Sequence, residues 1–177
     1  KNECAINAIK CLIKFKIRKK YIYVLPNSSD IGRNDWQPSL KKFARKNKLK
    51  IVTINKLYKI RDLIFISIEY EKIIKVNKFK SKELFNFHFS LLPKYRGCHT
   101  NFLQVYNGEK YSGVTLHKIN SGIDTGDIID QKKFKIKLND TAYDNYLMLM
   151  KYSLILFKKN INKILKLNYK FKKQNLS

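Results

Sequence analysis

The sequence has few of the residues that mark secreted, fibrous or membrane-spanning chains. Its 177 residues include only three cysteines, three prolines and six glycines. An odd, sparse set of cysteines argues against a disulfide framework and for a reducing compartment, so we expect a cytoplasmic protein. The longest apolar run, residues 146–157, is interrupted by Lys151. Such a run is too short to span a bilayer, and we predict no membrane span.

Acidic residues are also scarce, with 13 against 38 basic residues, which gives a net charge of +25. This excess is compatible with a nucleic-acid partner. However, 33 of the basic residues are lysines and five are arginines, and the lysines are spread along the chain beside 22 isoleucines and 17 asparagines. This joint excess favours a coding bias over a binding surface. A non-catalytic basic nucleic-acid-binding protein is kept as a second hypothesis.

Hydrophobic periodicity predicts a single domain in which strands alternate with helices. The predicted helices cover residues 7–17, 39–47, 100–106 and 141–165. The predicted strands cover residues 21–25, 50–54, 63–68, 85–89, 113–119 and 127–136. This order predicts an α/β fold with an open, mostly parallel sheet and flanking helices.

The first predicted element is a helix, whereas a parallel α/β sheet normally begins with a strand at its centre. We therefore expect that a first strand lies upstream of this sequence or has been lost. The alternative is that another segment of the chain takes the place of that strand.

The glycines, which give the backbone freedom, and the histidines, which titrate near neutral pH, are concentrated in one part of the chain. Five of the six glycines lie within residues 97–126, and all three histidines lie within residues 88–117. Strand alternation places Asn86 and His88 on one face, with three phenylalanines on the other. An amide donor beside an imidazole can serve an oxyanion and a proton transfer together. The alternative is two polar residues on a solvated strand face.

A second candidate is the turn Gly122–Asp127, in which two glycines flank Asp124. A carboxylate here could orient an imidazole, or it could simply bind its own backbone. The turn lacks the alternating ligands and terminal Glu of a calcium loop. No CxxC or HExxH spacing occurs, so we predict no metal site.

Three motifs in order resemble the folate-dependent formyltransferase family. They are NFHFSLLPKYRG at residues 86–97, GVTLH at residues 113–117 and GIDTGD at residues 122–127. The resemblance implies a Rossmann-like catalytic domain that uses 10-formyltetrahydrofolate as the formyl donor. The catalytic Asn, His and Asp of the family match Asn86, His88 and Asp124.

The resemblance also implies binding residues and a domain layout. The donor would contact Tyr70, Lys72, Leu92 and Ile123, and the acceptor would contact Ser90, Arg96 and Gly97. Residues 1–140 would form the catalytic domain, and residues 141–177 would form a C-terminal helix that packs on the same domain.

Four branches of the family compete. Arg96-Gly97 disfavours the glycinamide enzymes of purine synthesis, which usually carry Pro-Gly at this place. His117 and the short segment after Asp140 disfavour the methionyl-tRNA enzymes. The formyl-folate dehydrogenase branch requires a much longer chain. We therefore expect N-formylation of the amine of a nucleotide-linked amino sugar, with tRNA formylation as the alternative. A homodimer and an inactive copy are both left open.

Overall fold

The computed structural model describes residues 3–175, which form two small β-sheets flanked by helices. The helices are α1 (Glu3–Lys14), α2 (Leu40–Lys46), α3 (Ile54–Tyr58), α4 (Thr100–Tyr106) and α5 (Ala142–Leu165). The strands are β1 (Tyr23–Val24), β2 (Lys50–Ile51), β3 (Ile64–Ile68), β4 (Glu83–His88), β5 (Tyr111–Lys118) and β6 (Ile128–Lys135). The α/β class with flanking helices is confirmed.

The two sheets differ in the direction of their strands. Strands β1 and β2 pair in parallel, and the second sheet has the order β3-β4-β5-β6. Its first pair, β3 and β4, is parallel, whereas β5 runs antiparallel to both β4 and β6. The connection from β5 to β6 contains no helix. Since a parallel pair requires a crossover, this short connection makes a hairpin.

The main core lies between the four-stranded sheet and the helices α1 and α5. Its most buried side chains include Phe85 and Phe87 of β4 and Leu149 and Phe157 of α5, each at most 2% exposed. Burial of each such side chain contributes roughly 1.5–3 kcal/mol to folding. Because the phenylalanines of β4 face this core, Asn86 and His88 face the opposite side of the sheet.

Two helix boundaries differ from the sequence prediction. Helix α1 begins at Glu3 instead of residue 7 and ends at Lys14. Lys16 has a φ of 61°, a left-handed conformation that cannot continue a right-handed helix. Helix α5 begins after Thr141, whose hydroxyl accepts from the Asp144 N–H at 3.2 Å while the Asp144 carboxylate accepts from the Thr141 N–H at 2.9 Å. This capping box starts the helix.

An apolar cleft of about 450 Å³ separates the two sheets. Strand β1 lines one side and strand β3 the other, and helices α1 and α5 contribute further apolar side chains. Among the described residues no strand fills the space between the facing edges of β1 and β3. The cleft is therefore the place where the expected first strand would fit, and its occupation by a strand stays a prediction. In residues 3–175, no helix has the length and apolar character to cross a membrane.

We predict that fusing an apolar strand of about five to seven residues ahead of α1 raises the thermal midpoint and reduces self-association. Pairing with the edges of β1 and β3 would satisfy their backbone groups and bury the apolar walls of the cleft. A Gly/Ser extension of equal length is the control. Calorimetry and sedimentation would measure both effects, and equal midpoints for the two fusions would contradict the prediction.

Candidate active site

Three side chains from two separate parts of the sequence meet at the end of β4. Asp124 Oδ2 lies 3.4 Å from His88 Nδ1, and Asp124 Oδ1 accepts from Asn86 Nδ2 at 3.1 Å. The structure therefore brings the predicted Asn86, His88 and Asp124 together. A fourth side chain joins them, because β5 places His117 directly opposite Asn86, and its Nε2 is 3.4 Å from Asp124 Oδ1.

The turn that carries Asp124 is held close to the sheet. Asp124 has a left-handed φ of 51°, and its Oδ2 accepts from the Gly97 N–H at 2.9 Å. At Gly126 the turn approaches so closely that a Cβ atom would lie 1.8 Å from the carbonyl oxygen of Lys118. A side chain at residue 126 would push the turn away, so the close approach requires this glycine.

The hydrogen-bond partners of His88 determine which of its nitrogens faces the site. His88 Nε2 lies 2.7 Å from the carbonyl oxygen of Tyr95. A carbonyl oxygen can only accept, so Nε2 carries a proton and donates it. In the neutral ring Nδ1 is then unprotonated, and this basic nitrogen faces the carboxylate of Asp124.

His117, which is 2% exposed, is held by a similar contact. Its Nδ1 lies 2.7 Å from the carbonyl oxygen of Lys118 and therefore donates, while Nε2 lies 3.3 Å from Asn86 Nδ2. The amide nitrogen of Asn86 thus faces both Asp124 and His117. For Asn86 to donate to an oxyanion, one of these two contacts must give way.

The environment keeps Asp124 charged and His88 neutral near pH 7. Burial raises the pKa of Asp124, but the neighbouring His117 and His88 rings and the hydrogen bond from the Gly97 N–H outweigh burial and lower this pKa to about 2. Burial lowers the pKa of His88 below its ordinary value, although the charge of Asp124 acts in the opposite direction. A neutral imidazole beside a carboxylate can accept a proton at neutral pH.

A cleft of about 530 Å³ opens beside these side chains. It lies at the carboxyl ends of β3 and β4, where open α/β sheets bind ligands. Four of the residues predicted to bind donor or acceptor line this cleft, namely Tyr70, Lys72, Gly97 and Ile123. The segment after β3 therefore forms one wall, and the turn with Asp124 forms another.

Three predicted binding residues lie outside the cleft lining. Ser90 is fully buried and donates to the carbonyl oxygen of Lys94 at 2.7 Å. Leu92 is 3% exposed, and its N–H donates to Thr115 Oγ1 at 3.1 Å. The Arg96 side chain is exposed, and its Nε donates to the carbonyl oxygen of Pro93 at 3.3 Å. In this structure these residues shape the loop after β4 instead of lining the cleft.

Sequence reasoning missed the contact between two polar groups that line the cleft, Glu69 and Tyr146. The Tyr146 hydroxyl donates to Glu69 Oε1 at 2.8 Å, and burial raises the pKa of the Glu69 carboxyl. The carbonyl oxygen of Glu69 also accepts from Asn27 Nδ2 at 3.0 Å. This pair joins the loop after β3 to α5 and to the loop after β1. No local sequence pattern predicts a contact between residues 77 positions apart.

Residues 33–159 match the family model described as formyl transferase. The chain belongs to the formyl transferase family. Among curated members, it is 33% identical over 175 residues to the bifunctional polymyxin resistance protein ArnA of Wigglesworthia glossinidia brevipalpis, covering 93% of this chain and 27% of that protein. It is 30% identical over 193 residues to a methionyl-tRNA formyltransferase of Prochlorococcus marinus (strain MIT 9312), covering 98% of this chain and 58% of the relative.

Two solved structures of formyltransferases are similar over 99% of this chain, each with a TM-score of 0.97. One is an N-formyltransferase from Helicobacter canadensis, 45% identical, in complex with folinic acid and dTDP-3-aminofucose. The other is WlaRD, a sugar 3N-formyltransferase, 48% identical, in the presence of dTDP and 5-N-formyl-THF. The present chain covers 65% and 64% of the length of these two chains.

We predict that Asp124→Asn lowers the pKa of His88 further. The carboxylate charge raises this pKa, and its removal leaves the effect of burial unopposed. The measurement is an NMR titration of the His88 ring, assigned with a His88→Gln variant. Asp62→Asn, a change far from the site in the sequence, is the control. An unchanged or higher His88 pKa in Asp124→Asn would show that the two side chains are not coupled.

Proposed function

We propose that this protein transfers a formyl group from 10-formyltetrahydrofolate to the amine of a nucleotide-linked amino sugar. The observation that carries the proposal is the contact of Asn86, His88 and Asp124 beside an open cleft. The likeness to two sugar N-formyltransferases at 45% and 48% identity supports the sugar branch. The donor would supply the formyl carbon and leave as tetrahydrofolate.

The residues of the site divide the chemistry among them. As the amine attacks the formyl carbon, Asn86 would turn an N–H toward the developing oxyanion. Removal of such a donor elsewhere costs about 3 kcal/mol of transition-state stabilisation. His88 Nδ1 would accept the proton that the amine loses, and it would later return a proton to the departing folate nitrogen. Asp124 would stabilise the imidazolium and hold its ring in place.

The cleft fits a donor and an acceptor that approach from different walls. Its volume of about 530 Å³ falls within the range of small-molecule sites. The donor would lie between the wall that contains Tyr70 and Lys72 and the turn that contains Ile123. The acceptor would approach beside Gly97, where Cys98 and His99 also line the cleft. Ser90, Leu92 and Arg96 would act by shaping the loop that positions this acceptor wall.

Residues 1–140 and 141–177 would act as one catalytic unit in this proposal. Helix α5 contributes Leu149, Leu156 and Phe157 to the main core, and Tyr146 to the cleft. The helix therefore belongs both to the packing and to the site. We also place the enzyme in the cytoplasm, since Cys4, Cys11 and Cys98 are free thiols.

Formylation of methionyl-tRNA is the second candidate. The net charge of +25 and the 30% identity to a methionyl-tRNA formyltransferase favour it. A tRNA complex held by phosphate contacts should weaken by orders of magnitude between low and physiological salt. A nucleotide-sugar complex makes few phosphate contacts and should respond far less.

We predict that the protein formylates dTDP-linked 3-amino sugars and that His88→Ala and Asp124→Ala each reduce turnover about 10²–10⁴-fold. Mass spectrometry of the product measures the transfer, with methionyl-tRNA and a UDP-linked amino sugar as competing acceptors. Circular dichroism verifies the fold, and the exposed Lys151→Ala is the matched control.

Near-normal turnover in either variant would contradict the assignment of these side chains. Formylated tRNA without formylated sugar would establish the second candidate instead.

A further inference from the structure

The segment that follows α5, residues 168–175, forms a C-terminal strap that runs back along the sheet. Its first anchor is Tyr169, whose ring packs edge-on against Phe85 with ring centroids 5.3 Å apart. The Tyr169 hydroxyl donates to the Glu83 carboxylate and accepts from Lys118 Nζ, the latter at 2.9 Å. These contacts fasten the strap to β4 and β5.

The second anchor fixes the strap next to the turn that carries Asp124. The Lys172 N–H donates to the carbonyl oxygen of Ile128 at 2.7 Å, and the Ile128 N–H donates to the carbonyl oxygen of Lys172 at 2.8 Å. Two reciprocal bonds form an antiparallel bridge at the first residue of β6. The register of the strap against this strand is therefore set.

The third contact reaches the turn itself. Gln174 Nε2 donates to the carbonyl oxygens of Asp124 at 2.9 Å and of Gly126 at 2.6 Å. Both bonds go to main-chain atoms, so they fix the path of the turn and leave the Asp124 carboxylate facing the histidines. The Gly97 N–H holds the same residue from the other side.

The turn needs such support because its conformation is unfavourable by itself. Asp124 adopts a left-handed φ of 51°, a conformation that residues other than glycine seldom take. Such a conformation persists only where surrounding contacts determine it. The His88 Nδ1 to Asp124 distance of 3.4 Å is long, so a small shift of the turn would separate the pair.

We propose that Gln174 is a positioning residue for formyl transfer, which acts by holding the Asp124 turn against His88. The proposal rests on the catalytic role proposed above for Asp124. Gln174 lies beyond residues 33–159, the part of the chain that matches the family model. The strap thus adds a support for the site from outside that region.

The effect of losing Gln174 should differ from that of damage to the cleft. The hydrogen bonds of Gln174 reach the Asp124 turn and not Tyr70 or Lys72, so donor affinity should change less than kcat. Misplacement of Asp124 should lower kcat, since errors of about 1 Å in a catalytic group cost up to about 10²-fold. It should also move the carboxylate charge away from His88 and lower the pKa of that ring.

The experiment compares Gln174→Ala, Gln174→Glu and the neighbouring control Lys173→Ala in the full chain. The assay uses 10-formyltetrahydrofolate and a dTDP-linked 3-amino sugar, with NMR titration of His88 as the second readout. We expect Gln174→Ala to lower kcat roughly tenfold to hundredfold, with a smaller change in KM for the donor and a lower His88 pKa. Gln174→Glu should lower kcat more than Gln174→Ala, because a carboxylate would face two carbonyl oxygens. Lys173→Ala should match the wild type.

The Asp124→Asn variant, measured in parallel, separates the positioning role of Gln174 from the catalytic role of Asp124. Loss of turnover in Asp124→Asn with normal kcat and normal His88 pKa in both Gln174 variants overturns the role of the strap alone. Full turnover in Asp124→Asn overturns the catalytic assignment and the positioning role with it. Equal losses in Lys173→Ala and Gln174→Ala would also overturn the proposal, because they would show a general effect of disturbing the strap.

Discussion

The partly buried carboxylate of Asp124 is the group around which the site is organised. A charge removed from water needs hydrogen-bond donors nearby, or it becomes protonated. Here the Asn86 amide and the Gly97 N–H donate to the two oxygens, and the rings of His88 and His117 each approach to 3.4 Å. The loop after β4 and the β5–β6 connection must therefore close over the end of the sheet for the charge to be tolerated. Their closure creates the cleft in which the reaction is proposed to occur.

The packing of β4 connects the core to this chemistry. Phe85 and Phe87 are buried against α5, which fixes the strand and leaves Asn86 and His88 on the other face. A shift of one residue in register would place phenylalanines in the site and polar groups in the core. The hydrophobic pattern of one strand thus determines both the core contacts and the direction of the catalytic side chains.

Local patterns in the sequence predicted most of the elements, although not helix α3, and the arrangement of the central side chains. Alternation in β4 predicted that Asn86 and His88 share a face, and the glycines of the turn indicated a close approach by Asp124. The same patterns did not predict that Leu92 is buried outside the cleft. The position of Leu92 depends on the hydrogen bond of its N–H to Thr115 of β5, which is distant in sequence. They also did not indicate Gln174, since its contact with the Asp124 turn depends on the path of the chain after α5. Contacts of this kind follow from tertiary packing and not from periodicity.

The tautomer of His88 is the most direct test of this account. The carbonyl oxygen of Tyr95 requires a proton on Nε2, and the proposed chemistry requires a lone pair on Nδ1. Nitrogen-15 correlation spectra of the imidazole distinguish a protonated ring nitrogen from an unprotonated one. At neutral pH we predict a protonated Nε2 and an unprotonated Nδ1 in His88. A proton on Nδ1, in either the other neutral tautomer or the imidazolium, would contradict the role of His88 as the base that accepts the proton of the amine.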